Sequence, residues 1–150
     1  MGYDAKNVLA QIEFIDSRIL KLKFDNDLPL SQKALDFECK IDYQIGEIIP
    51  IDNGLQGTVN LSLSISSKMK RKNVFSMCIE MEGAFSCHNT MVQDIFVQFL
   101  RLNGVSMLYS IARTNIMTIT GLSYPGWTIR LPMLNIASLN EIKASAERNK

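Results

Sequence analysis

Alternating apolar and polar positions fill most of the first half of the chain. Residues 11–25, 35–46, 58–66 and 74–83 each place apolar side chains at about every second position, with polar side chains between them. A period of two is typical of β-strands that have one buried and one solvated face. Four such stretches predict an antiparallel sheet that is covered on one side only.

The first stretch is the least regular of the four. Its even positions are apolar, but Asp16 and Arg18 interrupt the series, which predicts a bend or a bulge near Ser17. Residues 67–73, which read SKMKRKN, predict a short basic hairpin connection between the third and fourth strands. The predicted apolar face of the first strand consists of Ile12, Phe14, Leu20, Leu22 and Phe24.

The period changes in the second half of the chain. Residues 91–102 and 105–119 have helical spacing of their apolar positions, and Asn103 and Gly104 between them predict a helix break. The second helix is apolar around much of its circumference and carries one clear charge, Arg113. We therefore expect it to pack on the sheet with one side and on another subunit with the other.

A short last helix completes the predicted fold. Ser138 is its expected N-cap, with Glu141 three residues later as in a capping box, and a polar chain end begins at about residue 143. Strands followed by helices predict an α+β fold. We expect a single domain over residues 1–150, with a four-stranded antiparallel sheet, helices packed on one face and a long crossover loop between the last two helices.

The composition supports such a domain and narrows its function. The 150 residues are 47% hydrophobic and 21% charged, which is enough apolar material for a core. The formal net charge of +1 lacks the basic excess of domains that bind phosphate backbones, so we expect no nucleic-acid partner. Because the chain begins without a signal-like region and no apolar run approaches the roughly 18 residues of a membrane span, we expect a cytoplasmic protein without membrane insertion.

Side chains suited to catalysis are sparse. The single histidine, His88, follows Cys87 on a predicted strand, where neighbours point to opposite faces and do not readily form a thiolate–imidazole pair. Glu80 and Glu82 share the predicted wet face, where solvated carboxylates are the default. The three cysteines, an odd number, fit reduced thiols and match no zinc spacing. We expect no enzyme activity, no cofactor and no metal site.

The apolar excess is the strongest functional signal. Residues 121–135 form a predicted loop that holds the only tryptophan and two of the four prolines. If the loop folds back along the sheet edge, it forms an aromatic-lined, peptide-binding groove with one strand. Alternatively, these residues complete the core, close over a small apolar ligand as in a hot-dog-like domain, or lie in a purely structural oligomer interface. The predicted groove residues are Phe37, Ile41, Tyr43, Tyr124, Trp127, Ile129, Leu131 and Leu134.

Several stretches of the chain resemble the SecB protein-export chaperones, over about residues 9–140. They read QIEFIDSRILKLKFD, GTVNLSLSISSKMKRKNVFSMCIEMEGAFSC, FLRLNGVSMLYSIARTNIMTITGLSYPGW and LPMLNI. The resemblance implies a cytoplasmic holdase that assembles as a homotetramer, a dimer of dimers, and binds unfolded polypeptides in a long apolar groove. It also implies that the loop roofs this groove, with Tyr124 and Pro125 as an aromatic–proline pair, and that the floor strand carries Phe37, Ile41 and Tyr43.

The sequence departs from this family in its charge. The resemblance implies carboxylates on the exposed sheet face that dock the translocation motor SecA, but the corresponding segments here read LKLKFD and KMKRKN. Opposite charge at a docking patch lowers affinity, which disfavours SecA docking. Two roles remain, protein export and service to a dedicated client such as the antitoxin of a toxin–antitoxin pair. The residues predicted to dock a motor or another partner are Lys21, Lys23, Asp25, Lys70 and Arg71.

Overall fold

The computed structural model describes residue 2 and residues 11–29, 36–123 and 129–150. Strands precede helices in these parts of the chain, as the α+β prediction requires. A π-helical turn, Leu100–Gly104, joins the first two helices. The elements are β1 (Glu13–Asn26), β2 (Glu38–Ile45), β3 (Ile49–Ile51), β4 (Gly54–Met69), β5 (Lys72–His88), α1 (Gln93–Phe99), α2 (Val105–Ser123) and α3 (Ile136–Arg148).

One antiparallel sheet holds the strands in the order β1-β5-β4-β2, and β3 pairs with the start of β4. The predicted antiparallel sheet with helices on one face is confirmed, and the three-residue β3 adds to its four predicted strands. β4 and β5 are long because their alternation continues over 16 and 17 residues. Polar side chains such as Ser62, Ser64 and Glu80 line the face opposite to the buried one, which we call the open face. The buried apolar side chains of the two strands are Val59, Leu61, Leu63, Ile65, Phe75, Met77, Ile79, Met81, Phe85 and Cys87.

β1 contains two irregularities on either side of the bend that the sequence predicts at Ser17. Its register against β5 shifts between Phe14 and Asp16 and again between Ile19 and Lys21. Each shift inserts one residue into β1, and one inserted residue exchanges the faces of all residues that follow it.

These shifts change which apolar residues of β1 share a face. Ile19 lies opposite Met81 on the helix side of the sheet, whereas Leu20 borders a depression of the open face beside Glu80. The second shift returns Leu22 to the helix side, opposite a buried isoleucine of β5. The prediction that Leu20 and Leu22 lie on one face is therefore wrong, because periodicity does not reveal how many residues a bulge inserts.

The helix does not end at Asn103 and Gly104, so the predicted break is wrong. Backbone torsions are helical at Leu100 (φ −62°, ψ −43°) and at Val105 (φ −63°, ψ −43°), and the π turn between them widens the helix without ending it. A Cβ atom at Gly104 would come within 3.1 Å of Val59 Cγ2. The glycine therefore permits close packing of the helix on β4.

One row of side chains fixes this long helix on the sheet. Burial of each large apolar side chain stabilises the fold by about 1.5–3 kcal/mol, before the loss of conformational entropy is counted. The buried row consists of Phe96, Leu100, Val105, Leu108, Ala112 and Ile116.

The helix Gln93–Leu122 is long and apolar enough to cross a membrane by length and composition alone, but core helices of soluble proteins also meet both criteria.

α3 begins earlier than the sequence predicts. Its N-cap is Asn135, whose Oδ1 accepts a hydrogen bond from the Ser138 N–H at 3.1 Å. Ser138 is thus a donor to the cap inside the first turn, so its prediction as the N-cap is wrong. Asparagine and serine are about equally favourable N-caps, so residue type alone does not distinguish Asn135 from Ser138. α3 continues to Arg148, through most of the polar chain end expected from residue 143.

Candidate functional site

The segment of residues 129–134 is tied to α2 by three side chains. The Ile129 N–H donates to Thr120 Oγ1 at 2.9 Å, and Arg113 Nε donates to the Leu131 carbonyl at 3.1 Å. The Tyr109 hydroxyl donates to the next carbonyl of the segment at 2.6 Å. Because the anchor positions descend along α2 while the segment ascends, the segment runs antiparallel to the helix.

This segment passes from the core to the surface within a few residues. Ile129 and Leu131 are buried, whereas Met133 is 86% exposed and Leu134 is 37% exposed. The end of the segment therefore presents apolar side chains to solvent directly before α3 begins.

Apolar side chains in β2 and directly before it lie in the same hydrophobic core as this segment. Phe37 directly precedes β2, is half-buried and meets the Phe75 ring edge-on at a centroid distance of 5.5 Å. Ile41 is half-buried opposite Leu63 of β4. Tyr43 is only 4% exposed. β2 is an edge strand of the sheet, so these side chains have β4 on one side only.

Tyr43 is covered by α3 through polar contacts. Its hydroxyl donates to Asn140 Oδ1 at 2.6 Å, and the amide nitrogen of Asn140 donates to the Arg101 carbonyl in the π turn at 3.0 Å. Lys143 Nζ lies 5.1 Å from the centre of the Tyr43 ring and 2.6 Å from Asp42 Oδ1. Lys143 thus reaches around the end of β2, from the helix side to the open face.

The electrostatics of this contact follow from its geometry. Burial raises the pKa of the Tyr43 phenol, which therefore stays protonated and keeps donating its hydrogen bond. The hydrogen bond from Lys143 lowers the pKa of the Asp42 carboxyl below its ordinary value. α3 is therefore held over this end of β2 by one neutral hydrogen bond, one ion pair and one cation–π contact.

Five of the eight predicted groove residues contribute to the hydrophobic core of the domain. Phe37, Ile41 and Tyr43 share one hydrophobic core with Ile129 and Leu131. Contact of these side chains with a bound polypeptide stays a prediction. Leu134 lies at the surface end of the segment. The remaining predicted groove residues, Tyr124 and Trp127, lie outside the described residues, as does Pro125.

β1 exposes a large apolar surface that the pattern of the sequence does not predict. Phe14, Ile19 and Leu22 point to the helix side but are 38–44% exposed, because α2 lies over β4 and β5 and leaves the edge strand uncovered. An apolar trough of about 330 Å³ continues this surface from Phe14 to Met107 of α2. Alternation predicts which residues face the helices, but not which strand occupies the edge.

The outward side of α2 is uncharged over more than three helical turns. Met107 and Met117 are exposed on this helix, and the hydroxyls beside them each bond to the carbonyl four residues earlier in the same helix. The side therefore presents apolar atoms and hydroxyls whose protons are already engaged. The four hydroxyl residues are Ser106, Ser110, Thr114 and Thr118.

The residues predicted to dock a partner fall into different settings. Lys21 Nζ lies 3.8 Å from Glu80 Oε1 across the β1–β5 pair. Lys23 and Asp25 are exposed on the open face, toward the end of β1. Lys70 and Arg71 form the turn between β4 and β5, where both have positive φ angles of 50° and 67°. Docking by any of them stays a prediction.

The described residues assemble no evident catalytic group. His88 is exposed, whereas its neighbour Cys87 is buried. Glu82 is ion-paired with Arg18 at 2.9 Å, and Glu80 faces Lys21, as expected for a solvated, charge-balanced face. No three histidine, cysteine or acidic residues lie close enough to hold a metal ion in the parts of the chain that the structure describes.

The fold has a close counterpart among solved structures. No protein-family model matches the sequence, and no curated protein matches it either. The structure matches the Mycobacterium tuberculosis Rv1957 SecB-like chaperone, solved in complex with a ChAD peptide from the Rv1956 HigA1 antitoxin, with a TM-score of 0.64. The match covers 87% of this chain and 92% of the mycobacterial chain at 17% sequence identity. The two proteins therefore share a fold.

Proposed function

Starting from the SecB-like fold of this chain, we propose that the protein is a cytoplasmic chaperone that holds non-native polypeptides without catalysing a reaction. The observation that carries the proposal is the outer edge of β2. No strand among the described residues pairs with that edge, where Cys39 is exposed and Ile41 is half-buried. An extended polypeptide can therefore add to the sheet as a further strand.

Strand addition explains how one site accepts many sequences. The hydrogen bonds of an added strand come from its backbone and are available whatever the side chains are. Alternate side chains of the client then point toward Ile41 and the exposed Leu134. Each large apolar side chain that leaves water contributes about 1.5–3 kcal/mol before ordering costs, so weak sites along one client add up.

The client class is suggested by the structural counterpart, which is a chaperone bound to an antitoxin peptide. We propose that this protein likewise serves polypeptides with an exposed apolar segment, whether one dedicated client such as an antitoxin or proteins destined for export. A folded protein buries such segments and escapes binding.

Self-association is the second part of the proposal. The exposed apolar edge of β1 and the uncharged side of α2 are continuous through the trough between Phe14 and Met107. An exposed, long and apolar edge strand aggregates unless something covers it. We propose that a second copy of the chain covers β1 and α2 in a dimer, and that two dimers associate as a tetramer.

Titration with a fluorescently labelled, reduced and alkylated polypeptide that cannot refold tests the client site. We expect saturable binding of this polypeptide and none of its folded counterpart. Ile41→Asp places a charge on the β2 floor and is expected to weaken binding at least tenfold. The matched control is Ile142→Asp, because Ile142 is 67% exposed on α3 and its substitution leaves β2 unchanged. Equal affinities of the two variants would falsify the assignment.

A second experiment tests the same site and leaves Ile41 and the other apolar side chains of β2 unchanged. Cys39 is exposed on β2 opposite Ile65, whereas Cys87 is buried. In a Cys78→Ser variant, the unfolded polypeptide is expected to slow the alkylation of Cys39 by maleimide. An unchanged rate at saturating client would place the client elsewhere.

A further inference from the structure

The hairpin between β4 and β5 extends beyond the rest of the sheet. Its pairing continues to Met69 and Lys72, whereas β1 pairs no further than Phe75 and β2 begins opposite Ser66. Residues 68–73, here called the hairpin tip, therefore project by about two residues per strand, roughly 7 Å. The tip reads KMKRKN and carries four cations and no carboxylate in a chain whose formal net charge is +1.

The turn at the tip is built from residues that suit it poorly. Lys70 and Arg71 have φ angles of 50° and 67°, as in a type I′ turn. Positive φ is unfavourable for side chains with a Cβ atom, and Asn-Gly is the strongly preferred pair in this turn. The local conformation therefore does not account for a Lys-Arg pair here.

Contacts within the fold do not account for it either. Four other cations of the described chain form ion pairs: Arg18, Lys21, Lys40 and Lys143. None of the four cations of the tip has an ion pair with a described residue, and all four are exposed. Residues that cost stability locally and gain nothing inside the fold indicate a role outside it.

We infer that the hairpin tip docks a short acidic segment of a partner polypeptide. Four cations within five positions attract a run of carboxylates, and the half-buried Met69 adds an apolar contact between them. This docking surface lies beyond the client site proposed on β2 and does not depend on it.

The surroundings of the tip favour a peptide over a nucleic acid. Four carboxylate residues lie at its base, so the phosphates of a duplex that passed the tip would meet like charge on either side. A short acidic segment contacts only the tip and avoids them. These residues are Asp25, Asp27, Asp36 and Glu38, beside Ser76, Val74, Ser67 and Ser66 respectively.

The test uses fluorescein-labelled decaglutamate and the full chain. The double variant Lys70→Asn with Arg71→Gly removes two cations and supplies the preferred turn, so its melting temperature is expected to be unchanged or about 2–4 °C higher. Binding of decaglutamate is expected to weaken at least tenfold in this variant. Loss of binding in a more stable protein separates docking from folding.

The matched control is the double variant Arg148→Asn with Lys150→Gly, which removes the same charge from the exposed end of the chain. Its affinity for decaglutamate is expected to stay within twofold of the unmodified protein. Absent binding by the unmodified protein, or equal loss in both variants, overturns the inference. A ten-base-pair DNA duplex that binds more tightly at the same residues would assign the tip to phosphate ligands and overturn it too. The unfolded polypeptide is expected to bind both variants equally.

Discussion

The two edges of the sheet differ in how their apolar side chains are covered. β1 is long, contains two register shifts and leaves Phe14, Ile19 and Leu22 exposed on the helix side. β2 is short, its Ile41 is half-buried opposite β4, and its Tyr43 is held under α3 by a hydrogen bond and by the neighbouring ion pair of Asp42. A broad apolar edge suits a permanent interface, whereas a polar cover suits an exchangeable one. This difference is the basis on which we propose self-association through β1 and client binding at β2.

The strongest way to break this comparison is to charge the β1 edge. Ile19→Asp with Leu22→Asp is expected to raise the dissociation constant of the dimer at least 100-fold, because each carboxylate would lose water in the interface. The monomer is expected to fold, since the two side chains are 44% and 43% exposed. Sedimentation velocity measures the assembly, and circular dichroism checks the fold.

The control for that change lies on β3. Ile49→Asp with Ile51→Asp alters two isoleucines of similar exposure, 41% and 38%, away from β1. This variant is expected to assemble like the unmodified protein. If both variants dissociate alike, or neither does, the β1 edge is not the interface.

A smaller effect is expected on the β2 edge. Tyr43→Phe removes the hydrogen bond to Asn140 and leaves its amide oxygen without this donor, which costs about 1 kcal/mol. Because this bond ties α3 to β2, amide hydrogen exchange in α3 is expected to accelerate about fivefold while exchange in β5 changes little. Tyr109→Phe is the companion variant, because it removes the hydrogen bond from the Tyr109 hydroxyl to the segment before α3. Uniform acceleration over the whole chain would contradict a local role of Tyr43.

The smallest effect concerns pH. The pKa of Asp42 is lowered in the folded protein by the hydrogen bond from Lys143, so its stabilisation is present above the unfolded value of about 3.9 and is lost as pH falls through the lower folded value. Solvent screens this exposed pair, which limits the contribution to below about 0.5 kcal/mol. The protection factors of the α3 amides, which correct for the intrinsic pH dependence of exchange, are expected to fall below about pH 4. Asp42→Asn is expected to remove most of that dependence.

The sequence predicts the central sheet well because β4 and β5 repeat a clear alternation over many residues. It predicts the bend of β1 near Ser17. However, a strand with one inserted residue and a strand with two have similar sequence patterns, so the sequence does not reveal on which face of the sheet Leu20 lies. β3 is missed because three residues are too few to establish a period. Asn103 and Gly104 give a local signal for a break, which packing of Gly104 against the sheet overrides.

The candidate site is harder to predict than the fold. Alternation places Phe37, Ile41 and Tyr43 on one face, and the structure has them in one core with Ile129 and Leu131. Exposure depends on which strand lies at the edge and on which helix covers it, and both are long-range properties. The bond from Tyr43 to Asn140 joins residues 97 positions apart, and no local pattern encodes it.

The π turn has a consequence for how this chain tolerates changes in length. Along the buried row of the helix, successive positions are four residues apart or fewer, except for the interval of five between Leu100 and Val105. The turn therefore stores one residue more than a regular α-helix needs on this path. Loss of one residue inside it would leave both halves of the helix facing the sheet, whereas loss elsewhere would rotate the following half by about 100°. We therefore expect the helix to tolerate a one-residue deletion better in this turn than elsewhere.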